Sequence, residues 1–161
     1  MAEPILAIVW HSRTGAAQAM AAAAAEGAGN IGTLVRADVA RSKFLLGAAG
    51  YLFVCPENLG ALSGAMKEMF DRNYYPLLGR IEGRPYATAV AAGSAGQGAE
   101  AQLDRIVTGW RLRRVAESLI VNLNAQTPAE IMAHKTIPAR DLDRCRDLGA
   151  ALAEGLRLGL F

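Results

Sequence analysis

Short continuous apolar runs alternate along the chain with stretches whose apolar residues recur every three or four positions. Ile5 to Trp10, Gly32 to Ala37, Tyr51 to Cys55, Tyr86 to Ala92 and Val115 to Val121 read as strands. They are mostly continuous apolar runs rather than alternating ones, as strands covered on both faces are, although Glu117 and Ser118 weaken the last. Ala16 to about Glu26, a short Ser42 to Leu46, Ser63 to about Tyr75, Glu100 to about Arg111 and Pro138 to about Leu158 read as helices. Gly27 and Gly29 are expected to end the first helix, Pro56 to stop the third strand, and Ser63 to cap the third helix. That helix carries a Met66, Met69 and Phe70 stripe, with Lys67/Asp71 and Glu68/Arg72 spaced to pair on its outer face. The alanine run Ala21 to Ala25 reads as helix filler. Strand-helix alternation of this kind predicts one α/β domain over residues 1–161. Its single five-stranded parallel sheet has the order 2-1-3-4-5 and is covered by helices on both sides.

In such a sheet ligands bind beyond the carboxyl ends of the strands, where the winding direction reverses. The loops that meet there are His11 to Ala17, Pro56 to Gly60 and Gly93 to Gly98, the most glycine- and hydroxyl-marked loops of the chain. The first opens a helix, whose free N–H groups and positive dipole end suit a phosphate. Ser12 and Thr14 offer hydroxyls, Arg13 a charge, and Gly15 a backbone able to curl. The competing reading is that Ser12 or Thr14 only caps the helix. No Gly-Lys-Ser/Thr occurs, no Gly-x-Gly-x-x-Gly follows the first strand, and Asp38 reads as a turn residue. A weak hydrolase reading would place Ser94 as nucleophile with His134 and either Asp104 or Glu117.

Composition narrows the classes. The 161 residues are 52% apolar and 20% charged, ordinary for a folded domain. A net charge of +2, with scattered basic residues, gives no ground for nucleic acid or a membrane as partner. Cys55 and Cys145 are expected as buried, reduced thiols. His11 and His134 are isolated, so no metal site is expected. No run reaches the roughly 20 apolar residues of a membrane span, and no secretory segment is visible, which favours the cytoplasm.

Ser12-Arg-Thr-Gly-Ala-Ala17 resembles the flavodoxin phosphate loop, Ser/Thr-x-Thr-Gly-x-Thr. Pro56-Glu-Asn-Leu-Gly60, Ser63-Gly-Ala-Met-Lys67, Phe70 to Pro76 and Ala92 to Gly98 resemble bacterial flavodoxin-family proteins related to NAD(P)H-dependent FMN and quinone reductases. The resemblance implies a flavodoxin-like three-layer fold. It implies that Ser12, Arg13, Thr14, Gly15, Ala16 and Ala17 surround an FMN phosphate. Pro56, Glu57, Asn58, Leu59 and Gly60 would line the flavin ring, and Gly93, Ser94, Ala95, Gly96, Gln97 and Gly98 would close its other side. Ala17 stands where the family motif ends in Thr. The implied activity moves electrons from NAD(P)H through FMN to a quinone or similar small acceptor, with no side chain identified as acid, base or nucleophile. A one-electron carrier and a flavin-free binding domain are the alternatives. The slightly positive net charge and the lack of aromatic residues in the ring loops favour the enzyme. Tyr74, Tyr75 and Trp110 are candidates for an aromatic wall, from a neighbouring subunit in a homo-oligomer, with Trp110 as plain core the competing reading. Asn122 to Thr136 has no assigned role.

Overall fold

A computed structural model describes residues 2–161. Its strands are β1 (Leu6–Trp10), β2 (Gly32–Arg36), β3 (Gly50–Asn58), β4 (Ala61–Leu62), β5 (Pro85–Ala92), β6 (Arg113–Arg114) and β7 (Leu119–Asn122). Its helices are α1 (Ala16–Ala28), α2 (Ser42–Gly47), α3 (Gly64–Leu77), α4 (Gln97–Gly109), α5 (Pro128–Met132) and α6 (Ala139–Leu158). The parallel sheet runs β2-β1-β3-β5, and both β6 and β7 follow on β5. This is the expected order, with the fifth strand in two pieces.

The break in that strand has a local cause. Four residues, Val115 to Ser118, lie opposite two of β5, Ala87 and Thr88. The Arg114 guanidinium fills the gap, donating to Asp104 at 3.0 Å, Glu100 at 3.2 Å and Thr88 Oγ1 at 3.2 Å. Pro56 does not stop β3, which runs on to Asn58. Val54 faces β1, since its carbonyl accepts from His11 N–H. Pro56, two residues on, faces the same side, but pairing with β1 has ended at Trp10. Its missing N–H therefore breaks no ladder bond.

The two core layers are built differently. On one face of the sheet, Tyr51, Phe53, Phe70 and Trp110 pack as rings with α3 and α4. On the other, α1 and α6 meet through small residues. A Cβ on Gly149 would stand 1.9 Å from the Ala24 carbonyl oxygen, and one on Gly27 equally close to that of Arg146. Gly27 thus serves helix contact rather than termination, and α1 ends only at Gly29, where φ is +65°. Buried Ala21, Ala23 and Ala24 lie in this layer, so the alanine run makes close approach feasible rather than merely filling a helix.

Candidate functional site

Helix α1 begins at Gly15, in the left-handed region at φ +95°, and no side chain caps it. Ser12 Oγ instead accepts the Gly15 N–H at 3.1 Å. Among the described residues, the N–H groups of Ala16, Ala17 and Gln18 have no acceptor. Neither Ser12 nor Thr14 is the helix cap, so that competing reading fails. Arg13, Thr14 and Ala16 instead form one end of a cavity of about 470 Å³. The second loop supplies Pro56, Glu57 and Asn58, β5 supplies Ala91 and Ala92, and the third loop supplies Gly93.

Helix α4 starts the same way, on Gly96 at φ +99°, and so begins three residues before the Glu100 expected from the pattern. Here two of the amides, those of Gly96 and Ala99, are taken by a side chain. Glu57 Oε1 accepts Gly96 N–H at 3.0 Å and Oε2 accepts Ala99 N–H at 3.1 Å. The carboxylate belongs to β3, so it also ties the second loop to the third. A Cβ on Gly98 would stand 2.1 Å from the Gly60 carbonyl, which shows how tightly the two loops press together. Of the third loop only Gly93 borders the cavity; Ser94, Ala95, Gly96, Gln97 and Gly98 do not. Leu59 and Gly60 also lie off its lining. They form a two-residue turn, both at positive φ, joining β3 to the antiparallel β4.

The remaining first-loop residues are placed by packing. The Ala17 methyl is fully buried in the α1–α6 layer, where the family motif carries a hydroxyl. His11 Nδ1 pairs with Ser63 Oγ at 2.8 Å, so Ser63 sits at the start of α3 without capping it and instead tethers the first loop. Burial holds the His11 imidazole below its ordinary pKa; Asp38 opposes this, while Arg36 and Arg13 reinforce it. Asp38 itself is paired with Arg36 on the surface. Ser94 has no bond to His134, whose ring lies against Gly15 instead, so the hydrolase constellation is not assembled. Cys55 and Cys145 are free and buried, and burial pushes their thiols up to about 12 and about 11. No cluster of metal-ligating side chains occurs among the described residues, and no helix there is long and apolar enough to cross a membrane.

The unassigned segment proves to be part of this cavity. Leu123, Ala125, Pro128, Ile131, Met132 and Lys135 form its far wall. Thr127-Pro-Ala-Glu130 starts α5 with a capping box, a legible signal that the polar look of the stretch obscured. Tyr74, Tyr75 and Trp110 border a different cavity, of about 410 Å³, between α3 and α4. Tyr74 and Tyr75 lie ten and eleven residues along α3 from Gly64, roughly 15 Å down the helix. Trp110 is buried in the core against Phe53 and Phe70.

Fold and site together define a doubly wound α/β protein with an uncapped helix terminus at one end of a mostly apolar cavity. The chain is 30% identical over 156 residues to the flavodoxin of Aquifex aeolicus (strain VF5), covering 91% of this chain and 84% of that one. It belongs to the flavodoxin family. Among solved structures, a flavodoxin from the domain Archaea superposes with a TM-score of 0.75 at 15% identity, covering 94% of this chain and 97% of that one. A flavodoxin, WrbA-like protein from Agrobacterium tumefaciens gives 0.72 at 22% identity, covering 97% and 99%. These two likenesses speak for the fold. No family model matches the chain.

Proposed function

We propose that the chain binds FMN in this cavity and transfers electrons from NAD(P)H through it to a quinone or similar small acceptor. One observation carries the reading. The α1 amides of Ala16, Ala17 and Gln18 are unpaired, and Ala16 lines the cavity, while at α4, which starts on the same backbone, Glu57 takes the Gly96 and Ala99 amides. A ligand with one phosphate and a flat, largely apolar body suits that arrangement, and about 470 Å³ is in the ordinary range for such a site.

Ser12, Thr14, Arg13 and the amides of Ala16 and Ala17 would hold the phosphate. Pro56, Asn58, Ala91, Ala92 and Gly93 would border the ring. FMN supplies, when bound, a ring able to exchange one or two electrons. The chain's own work is to orient and shelter it. Glu57, fixed by two amides, keeps the second loop in place, and the apolar lining excludes water. No aromatic side chain lines the cavity, which leaves a nicotinamide or quinone ring room to stack. A one-electron carrier is the second reading, favoured by the likeness to the Aquifex flavodoxin.

The test is titration of the purified chain with FMN, followed by NADPH and NADH with a soluble quinone. Nicotinamide oxidation with ping-pong kinetics is expected. Rapid single-electron exchange with a redox protein, without nicotinamide oxidation, supports the carrier instead. Failure to bind FMN removes both.

A further inference from the structure

Helix α5 has no buried residue, yet it is held at both ends. At its start Thr127 Oγ1 accepts Glu130 N–H at 3.2 Å, and Glu130 Oε2 accepts Thr127 N–H at 3.1 Å. At its end the Lys135 ammonium donates to the Ile131 and Ala133 carbonyls at 2.9 and 2.6 Å. The segment is also fastened to the cavity rim. Leu123 N–H donates to the Ala92 carbonyl and Ala125 N–H to that of Gly93, both at 2.8 Å. Lys135 N–H donates to the Thr14 carbonyl at 2.9 Å, directly on the phosphate loop. An element without core contacts is thus set in place over the site.

Two of its side chains, Ile131 and Met132, border the cavity while remaining 52% and 73% exposed. Both side chains are open to solvent, although the helix that carries them is fastened at both ends. The polar lining of the cavity lies at Arg13 and Thr14 on one side, at Glu57 and Asn58 on another, and at Lys135 just past the end of α5, where its ammonium is held by the Ile131 and Ala133 carbonyls. Within α5 itself the residues that face the same space, Pro128, Ile131 and Met132, carry no polar group. A methionine thioether is polarisable and packs well against aromatic rings. We infer that Ile131 and Met132 form an aliphatic wall against the flavin ring, in the role that an aromatic side chain would otherwise fill. The inference rests on the FMN reading above.

Riboflavin separates the ring from the phosphate. FMN and riboflavin are titrated by flavin fluorescence into the full chain and into Met132→Asp, Ile131→Asp, Met132→Leu and Thr14→Val. A carboxylate placed against the ring should weaken both flavins by roughly tenfold or more and leave their ratio unchanged. Met132→Leu should keep both affinities, and Thr14→Val should weaken FMN alone. Both wall residues are exposed, so the thermal midpoints of the variants without flavin should match the wild type. Unchanged flavin affinities in both aspartate variants, beside a weakened Thr14→Val, overturn the inference and leave the FMN reading standing. So does an effect of Met132→Asp confined to the KM for the quinone. Wild-type protein that binds neither flavin sinks the FMN reading itself, and the wall with it.

Discussion

Helices α1 and α4 begin on the same backbone. Gly15 has φ +95° and ψ −15°, Gly96 has φ +99° and ψ −22°, and neither helix has a cap from its own first turn. What differs is the neighbour that the sheet brings. β3 delivers Glu57 to α4, while α1 faces open space between Arg13 and Thr14. The positive end of a helix draws an anion in either case. At α4 that anion is part of the chain and stabilises the fold permanently. At α1 the chain supplies no such carboxylate, and the proposed FMN phosphate would take that place. Local geometry alone therefore does not mark the binding site; the tertiary partner, present or missing, does.

The largest effects should come from the two glycines. A Cβ on Gly96 would stand 2.5 Å from Ile120 Cγ2, a branched side chain packed against the core. Gly96→Ala should cost about 2–4 kcal/mol, adding overpacking to the left-handed strain. A Cβ on Gly15 would meet His134 at 2.6 Å, but that ring is exposed and can swing aside. Gly15→Ala should cost only about 1–2 kcal/mol of stability. Urea unfolding of both variants checks the order, and equal losses would mean that Ile120 yields as easily as His134.

Next come the anion-holding groups, where the two ends should respond in opposite ways. Glu57→Ala leaves two amides without their acceptor and should cost about 1–2 kcal/mol of stability with no ligand present. Thr14→Val should cost about 1–3 kcal/mol of FMN binding and less than about 0.5 kcal/mol of stability. Denaturation and FMN titration of the same two proteins give the crossed comparison. A Thr14→Val protein as unstable as Glu57→Ala would make Thr14 structural.

Much of this was legible before any coordinates. Strands buried on both faces announced the parallel sheet, and the strand order then placed the first loop and the start of the second beside one another. The misses come from partners distant in sequence. Gly27 looks like a helix stop until α6 is laid across it, and Pro56 looks like a strand stop until β1 is seen to end first. Glu57 does line the cavity, but nothing in Pro56 to Gly60 reveals that two α4 amides also claim its carboxylate. Ser94 to Gly98 carry the right residue types, yet that claim draws their backbone toward Glu57 and away from the cavity. The α5 segment was the reverse case: its capping box was visible, but a wall made by one exposed turn leaves no apolar periodicity.

Inorganic phosphate should give a smaller effect. A site at α1 makes phosphate stabilise the apo protein by RT ln(1 + [L]/Kd), about 1.4 kcal/mol at ten times Kd. Thr14→Val should lose that gain, and Glu57→Ala should add to it by opening the α4 terminus to the same anion. Thermal midpoints measured against phosphate at constant ionic strength decide this. A gain that is identical in all three proteins would place the anion elsewhere.

The smallest effect belongs to His11, which ties the first loop to α3 through Ser63. Its imidazole sits below the ordinary value near 6.5, chiefly through burial, with Arg36 and Arg13 adding to the shift and Asp38 opposing it. As pH falls through about 6.5, the unfolded chain takes up this proton before the folded one does. The unfolded state then holds more protons, and stability drops with pH. The contribution is fully present above about 6.5 and fades as pH falls toward the depressed folded value. His11→Asn keeps a polar partner for Ser63 but cannot titrate, so its urea midpoint should change less between about pH 7.5 and pH 5.5 than the wild type's. An equal change in both proteins would show that the acid sensitivity arises at other groups, and that the tether holds the first loop whatever the charge on His11.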